Sequence, residues 1–153
     1  MAQATSRLYV PAFGAIYVAF HDYADAILRI VLGGVLIPHG CQKLFGLFGG
    51  MGLSANAALF DRLGYSPGMF WGTLVGCTEF IGGILLVLGL FTRFAAAAVL
   101  IFMIVAVKFT SAKGFFWSAG GWEYPLLIGI CALFFLIRGG GHCSLDRMIG
   151  REI

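Results

Sequence analysis

The sequence predicts an all-α membrane protein: an antiparallel four-transmembrane-helix bundle with a short amphipathic helix on its outer side. Three observations predict it. The 153 residues are 60% hydrophobic and only 11% charged, against roughly 45–50% and 25% in soluble domains. A hydrocarbon core about 30 Å thick needs roughly 20 apolar residues per helix, and the chain has room for four such segments between glycine-rich or polar breaks. The ionisable residues inside those segments fall on helical stripes. No room remains for a soluble catalytic domain, so any chemistry sits in the bundle or in a partner. The net charge of +3 is spread over the termini and loops and gives no reason to invoke nucleic acid.

Residues 1–24 are expected to form an interfacial N-terminal tail. Its middle, Leu8 to Phe20, is apolar and aromatic, but Pro11 interrupts it and it is too short to span. It lacks the basic start and compact apolar run of a cleavable signal peptide. Residues 25–138 read as the four-helix transmembrane domain. The first helix runs from Asp25 to Phe45, with Asp25 suited by charge to the N-terminal turn, and Gly46, Gly49, Gly50 and Gly52 end it. Ser54 to Leu63 reads as the amphipathic helix, with Ser54 as N-cap and Gly64 as stop. Leu59, Phe60 and Leu63 would dip into the membrane, leaving Asp61 and Arg62 to water. Pro67 opens the second helix, Gly68 to Leu90. There Gly72, Gly76 and Gly83 share a face with Glu79. Small residues let helices approach closely in lipid, so Glu79 is expected to point inward. A turn at Thr92 and Arg93 leads to the third helix, Arg93 to Thr110, whose Ala95–Ala98 run favours close contact. An aromatic loop, Ser111 to Gly121, precedes the fourth helix, Trp122 to Ile137. Gly139–Gly141 end that helix, and residues 139–153 form a polar C-terminal tail.

Arg7, Arg29, Arg93, Arg138, Arg147 and Arg151 fall on one side, and Lys43, Arg62, Lys108 and Lys113 on the other. By the positive-inside rule both termini are cytoplasmic.

The first helix is the most informative segment. Arg29, Gly33, Leu36, Gly40 and Lys43 follow 4-3-4-3 spacing, one helical stripe, and His39 and Lys43 are i,i+4 neighbours. A charge near the bilayer centre costs about 2.5–3.5 kcal/mol on insertion scales, so the stripe must face protein or a wet cavity. Depth along the helices pairs Arg29 with Glu79, as a structural ion pair that fixes helix register or with Glu79 as a proton carrier or ligand contact. His39, Lys43, Lys108 and Glu123 fall near the outer boundary. The aromatic loop, with Trp117 and Trp122, and Phe60 of the amphipathic helix could roof them. An apolar pocket with a few convergent polar groups is the usual form of a small-molecule site. A neutral histidine both donates and accepts hydrogen bonds and titrates near physiological pH. The candidate ligand-binding set is therefore His39, Lys43, Lys108, Trp117, Trp122 and Glu123, with His39, Glu79 and Glu123 as proton-handling candidates. For Lys108, Lys113, Trp117 and Tyr124 the favoured reading is lysine snorkelling and an interfacial aromatic belt. Cys41, Cys77, Cys131 and Cys143 show no C-x-x-C spacing. The three inside apolar segments, Cys41, Cys77 and Cys131, read as small packing residues, with a redox role for Cys41 as the alternative. No metal, haem or phosphate-binding spacing is present.

Five motifs in order resemble the DoxX family of small four-helix membrane proteins. They are H-G-x-x-K at His39–Lys43, T-E-F-I-G-G at Thr78–Gly83, G-L-F-T-R at Gly89–Arg93, G-G-W-E-Y-P at Gly120–Pro125 and S-L-D at Ser144–Asp146. The resemblance covers about residues 25–149. It implies an antiparallel four-helix bundle with cytoplasmic termini in a bacterial inner membrane, and one branch of the family looks like the quinone-reducing membrane subunit of a thiosulfate:quinone oxidoreductase. The polar positions usual in the family correspond to Arg29, His39, Lys43, Glu79 and Glu123. The chain departs from the pattern in its aromatic N-terminal tail and in Gly-Gly-Gly-His-Cys before Ser144, where an aromatic residue often stands. The expectation is a membrane subunit of a redox complex with a quinone- or lipid-like ligand near the outer face. Quinone is the one cofactor implied, and the redox donor belongs to a partner subunit. The alternative is a non-catalytic subunit packing against a larger membrane complex or against copies of itself. A solute carrier is disfavoured by the lack of an inverted repeat with broken helices.

Overall fold

A computed structural model describes residues 8–151, apart from the side chain of Asp22. The described residues are helical, with no strand among them. A 3-10 turn, Pro11–Phe13, leads into α1 (Gly14–Phe45). There follow α2 (Gly52–Arg62), α3 (Gly68–Leu88), α4 (Thr92–Thr110), α5 (Glu123–Arg138) and the short α6 (Leu145–Ile149). Two further 3-10 turns, Ser111–Lys113 and Trp117–Ala119, shape the loop between α4 and α5. Tyr23–Phe45, Gly68–Leu88 and Thr92–Lys113 are long and apolar enough to cross a membrane. α5, at 16 residues, is about 24 Å long at about 1.5 Å per residue.

α1 differs from expectation at its start. It is continuous for 32 residues, and the expected tail supplies its first turns; residues 1–7 lie outside the described residues. Pro11 stands in the lead-in turn, where a missing N–H costs nothing, so it starts the helix instead of interrupting it. Asp25 therefore lies inside the helix, not at its first turn, and its carboxylate pairs with Arg138 at the end of α5. α2 also differs: it begins at Gly52 with no side-chain cap from Ser54. Asp61 accepts a hydrogen bond from the Gly68 N–H at 2.8 Å, closing the α2–α3 turn.

α1 and α3 pack through glycine. A Cβ at Gly33 would collide with the Gly83 carbonyl oxygen, and one at Gly40 with the backbone of Phe80. Gly76 receives the Leu44 side chain and Gly83 the Ile37 side chain. This is the small-residue contact by which helices associate in lipid, where apolar burial drives little. α4 and α5 form the other half of the core. Ala95, Ala96, Val99 and Met103 meet Ile128, Ala132 and Phe135 in one buried cluster, which Leu32, Leu36 and Leu86 join from α1 and α3. Ile27, Ile81, Ile101 and Leu127 remain at least half exposed, an outer surface that suits acyl chains.

One end of the bundle is tied by polar groups. Arg93 Nη1 donates to the carbonyls of Leu136 and Ile137 at 2.7 and 2.8 Å, serving the last turn of α5. The segment after α5 docks there. Ser144 caps α6 by accepting from the Arg147 N–H. The buried Asp146 accepts from the N–H groups of Phe91 and Thr92 at 2.7 and 2.9 Å. Asp146 thereby caps α4, whose preceding residue Phe91 is held at φ 48°.

Candidate functional site

The expected Arg29–Glu79 pair does not form. Arg29 is fully buried, but its guanidinium donates to the carbonyls of Leu86, Val87 (3.0 Å) and Cys143 (2.5 Å). It fills the space that the absent side chain of Gly89 leaves. It thus serves the last carbonyls of α3 and fastens the C-terminal segment to the bundle. Glu79 is met by Lys43. Lys43 Nζ donates to Oε1 at 2.7 Å and to Oε2 at 2.5 Å, with the glutamate side chain 5% exposed and the lysine 28%. The cause is helix register. With Gly33 against Gly83 and Gly40 against Phe80, the position facing Glu79 is Lys43, whereas Arg29 lies roughly two turns away along α3.

The pair borders a cavity of about 200 Å³ between α1, α3, α4 and α5. His39 and Lys43 enter it from α1, Glu79 from α3, Phe102 and Met103 from α4, and Tyr124 from α5. The His39 and Tyr124 rings are 6.0 Å apart, and Lys43 Nζ lies 5.9 Å from the centre of the Phe102 ring, a cation–π distance. Pro38 precedes His39 inside α1. A proline there removes one main-chain hydrogen bond and loosens the helix where it carries the site. The chamber thus combines a fixed positive charge, an imidazole, a phenol and a buried carboxylate against apolar walls.

Of the residues singled out in the sequence, the structure brings together His39, Lys43 and Glu79. Glu123 does not line the chamber: its Oε1 accepts from the Trp117 N–H at 2.8 Å and braces the aromatic loop. Trp122 packs edge-on against Phe115, centroids 4.8 Å apart. Trp117 reaches the site only through Tyr124, at 6.3 Å. Lys108 is exposed and Phe60 packs against Tyr65, both away from the lining. Tyr124 and Phe102 are the site residues that sequence reasoning missed. Tyr124 carried no decisive sequence signal, because a tyrosine near a helix end also suits an interfacial aromatic belt. The four cysteines are free, with Cys41 buried. No group of three or more metal-ligating side chains occurs among the described residues.

Comparison with known proteins gives one family and two relatives. The DoxX family model matches residues 24–117. An uncharacterized protein of Haemophilus influenzae is 34% identical over 135 residues, covering 83% of this chain and 91% of its own. An uncharacterized membrane protein of Mycobacterium tuberculosis is 31% identical over 138 residues, covering 82% of this chain and 80% of its own. No solved structure matches the chain.

Proposed function

The chain belongs to the DoxX family of membrane proteins, and on that premise we propose that it is a membrane subunit that holds a quinone-like head group in the His39–Lys43–Glu79–Tyr124 chamber. The observation that carries the reading is the convergence of these four groups, from three helices, on one cavity. Quinone oxygens accept hydrogen bonds, and Lys43, His39 and Tyr124 are donors of the required kind. Reduction of a quinone to its quinol takes two electrons and two protons. The electrons come from a redox partner subunit, and the protons from groups at the chamber, of which His39 and the Lys43–Glu79 pair are the nearest. In this reading α5 is the fourth span of an antiparallel bundle, and the arginine-rich end faces the cytoplasm of a bacterial inner membrane.

A specific observation favours a second reading. Lys43 and Glu79 satisfy each other without a ligand, as they would in a non-catalytic subunit whose polar stripe only fixes helix register. Quinone content of the purified, folded protein separates the two. His39→Ala and Tyr124→Phe are each expected to lower bound quinone by about five- to tenfold, the worth of a hydrogen bond, relative to the lipid-facing control Leu127→Ala. Unchanged quinone content in both variants would favour the structural subunit.

A further inference from the structure

A second cavity lies beside the chamber. It is a groove of about 190 Å³ between α4 and α5, walled by apolar side chains such as Ile104, Leu126 and Ile130. Met103 and Pro125 border both the groove and the chamber. The groove opens toward lipid, since Ile104 and Ile130 are more than half exposed. Its floor is kept low by Gly129, where a Cβ would stand 3.2 Å from that of Met103.

We propose that the ligand of the chamber carries one long apolar chain that lies in the α4–α5 groove, and that it arrives sideways from the bilayer past Met103 and Pro125. This inference rests on the head-group reading above. The size of the chamber argues for it. About 200 Å³ is below the roughly 300–1,000 Å³ of pockets that enclose a drug-sized ligand, so the chamber has room for about one ring, and any longer part of a ligand would extend beyond it. The adjoining space is apolar, whereas the chamber carries the polar groups, an arrangement complementary to an amphiphile with a compact head. The partition between them is an unbranched side chain with three rotatable bonds and a polarizable sulfur, the kind that repacks most readily. Pro125 lies in the first turn of α5, where it breaks no helical hydrogen bond. A chain leaving lipid for this groove gains little from dehydration, because lipid is equally apolar. The groove therefore selects by fit, and filling it should act on the tail alone.

The test compares two probes in nanodiscs, at matched mole fraction in the lipid: a dimethoxy-methylbenzoquinone with no side chain, and the same ring bearing a decyl chain. Ile104→Trp and Ile130→Trp fill the groove from its lipid edge and leave His39, Lys43, Glu79 and Tyr124 in place. Ile101→Trp is the same change on a face of α4 outside the groove. The decyl probe is expected to lose about tenfold in affinity in both groove variants, the scale of an overpacked contact, and nothing in Ile101→Trp. The tail-less probe should bind all four proteins alike. Decyl binding that is equal in every variant, or that falls together with tail-less binding, overturns the tail groove and leaves the chamber reading standing. Failure of both probes to bind the folded wild type overturns both.

Discussion

Lys43 and Glu79 stand 36 residues apart in the chain and form an ion pair across the α1–α3 interface, with the carboxylate almost wholly enclosed. The two partners differ in their access to water. Lys43 keeps partial exposure near the end of α1 and can swing outward, whereas Glu79 has no such route. The pair is at once the polar centre of the chamber and a pin between two helices that approach closely at their glycines.

Breaking the pair from either side should destabilise the bundle. Removing one partner of a buried pair costs about 3–5 kcal/mol, and replacing both by apolar residues is often neutral. Lys43→Ala and Glu79→Ala are expected to lower the thermal midpoint in detergent, and Lys43→Met with Glu79→Leu to recover most of the loss. A double variant as unstable as the two single losses combined would show that the residues are not coupled.

Neighbouring glycines on α1 should respond in opposite ways. A Cβ on Gly33 meets the Gly83 carbonyl, while one on Gly34 meets nothing within 4 Å. Gly33→Ala is expected to destabilise by about 1–3 kcal/mol through overpacking. Gly34→Ala is expected to be neutral or stabilising by up to about 1 kcal/mol through helix propensity. Thermal melts of the two proteins check this, and equal midpoints would contradict the close α1–α3 approach.

Arg29→Lys should not substitute for arginine. A lysine offers one compact ammonium in place of a planar fork, and here the fork spans the end of α3 and the Cys143 carbonyl. Hydrogen exchange is expected to quicken at the Phe91 and Thr92 amides as the docked segment loosens. Asp146→Ala should give the same pattern, with a capping loss of about 0.5–2 kcal/mol. Unchanged exchange at those amides in both variants would show that the segment is held by other contacts.

Orientation is accessible to cysteine labelling in a cysteine-depleted background. Lys113 lies in the turn after α4 and Arg151 just beyond α6, both exposed. With the arginine-rich end in the cytoplasm, an impermeant reagent added to intact cells should modify Lys113→Cys and spare Arg151→Cys. The reverse pattern would invert the protein in the membrane.

Much of this architecture was legible in apolar segments and glycine breaks. α5 runs within one residue at each end of the segment read from the sequence, and the Gly72–Gly76–Glu79–Gly83 stripe faces inward as its spacing requires. Register between helices was not legible. Arg29 and Lys43 share one stripe, so periodicity could not decide which of them meets Glu79; that depends on the depth at which the glycines interlock. Tyr124 was obscured for a related reason. A tyrosine near a helix end suits an interfacial belt as well as a site, and only the rotation of α5 in the packed bundle turns it inward. The role of Ser144–Asp146 was hidden because a cap supplied from far along the chain leaves no local pattern.

That distant cap imposes an order on how the protein comes into being. The amide groups that open α4 are closed by a carboxylate that the ribosome adds 54 residues later. Until Asp146 arrives, the Phe91 and Thr92 N–H groups lack their carboxylate and Arg29 lacks the Cys143 carbonyl. The hairpin can insert, but its tip cannot lock until translation has passed α5. A chain interrupted before Ser144 would thus leave the first three long helices with an open end, and quality control could read that open tip as the mark of an unfinished molecule.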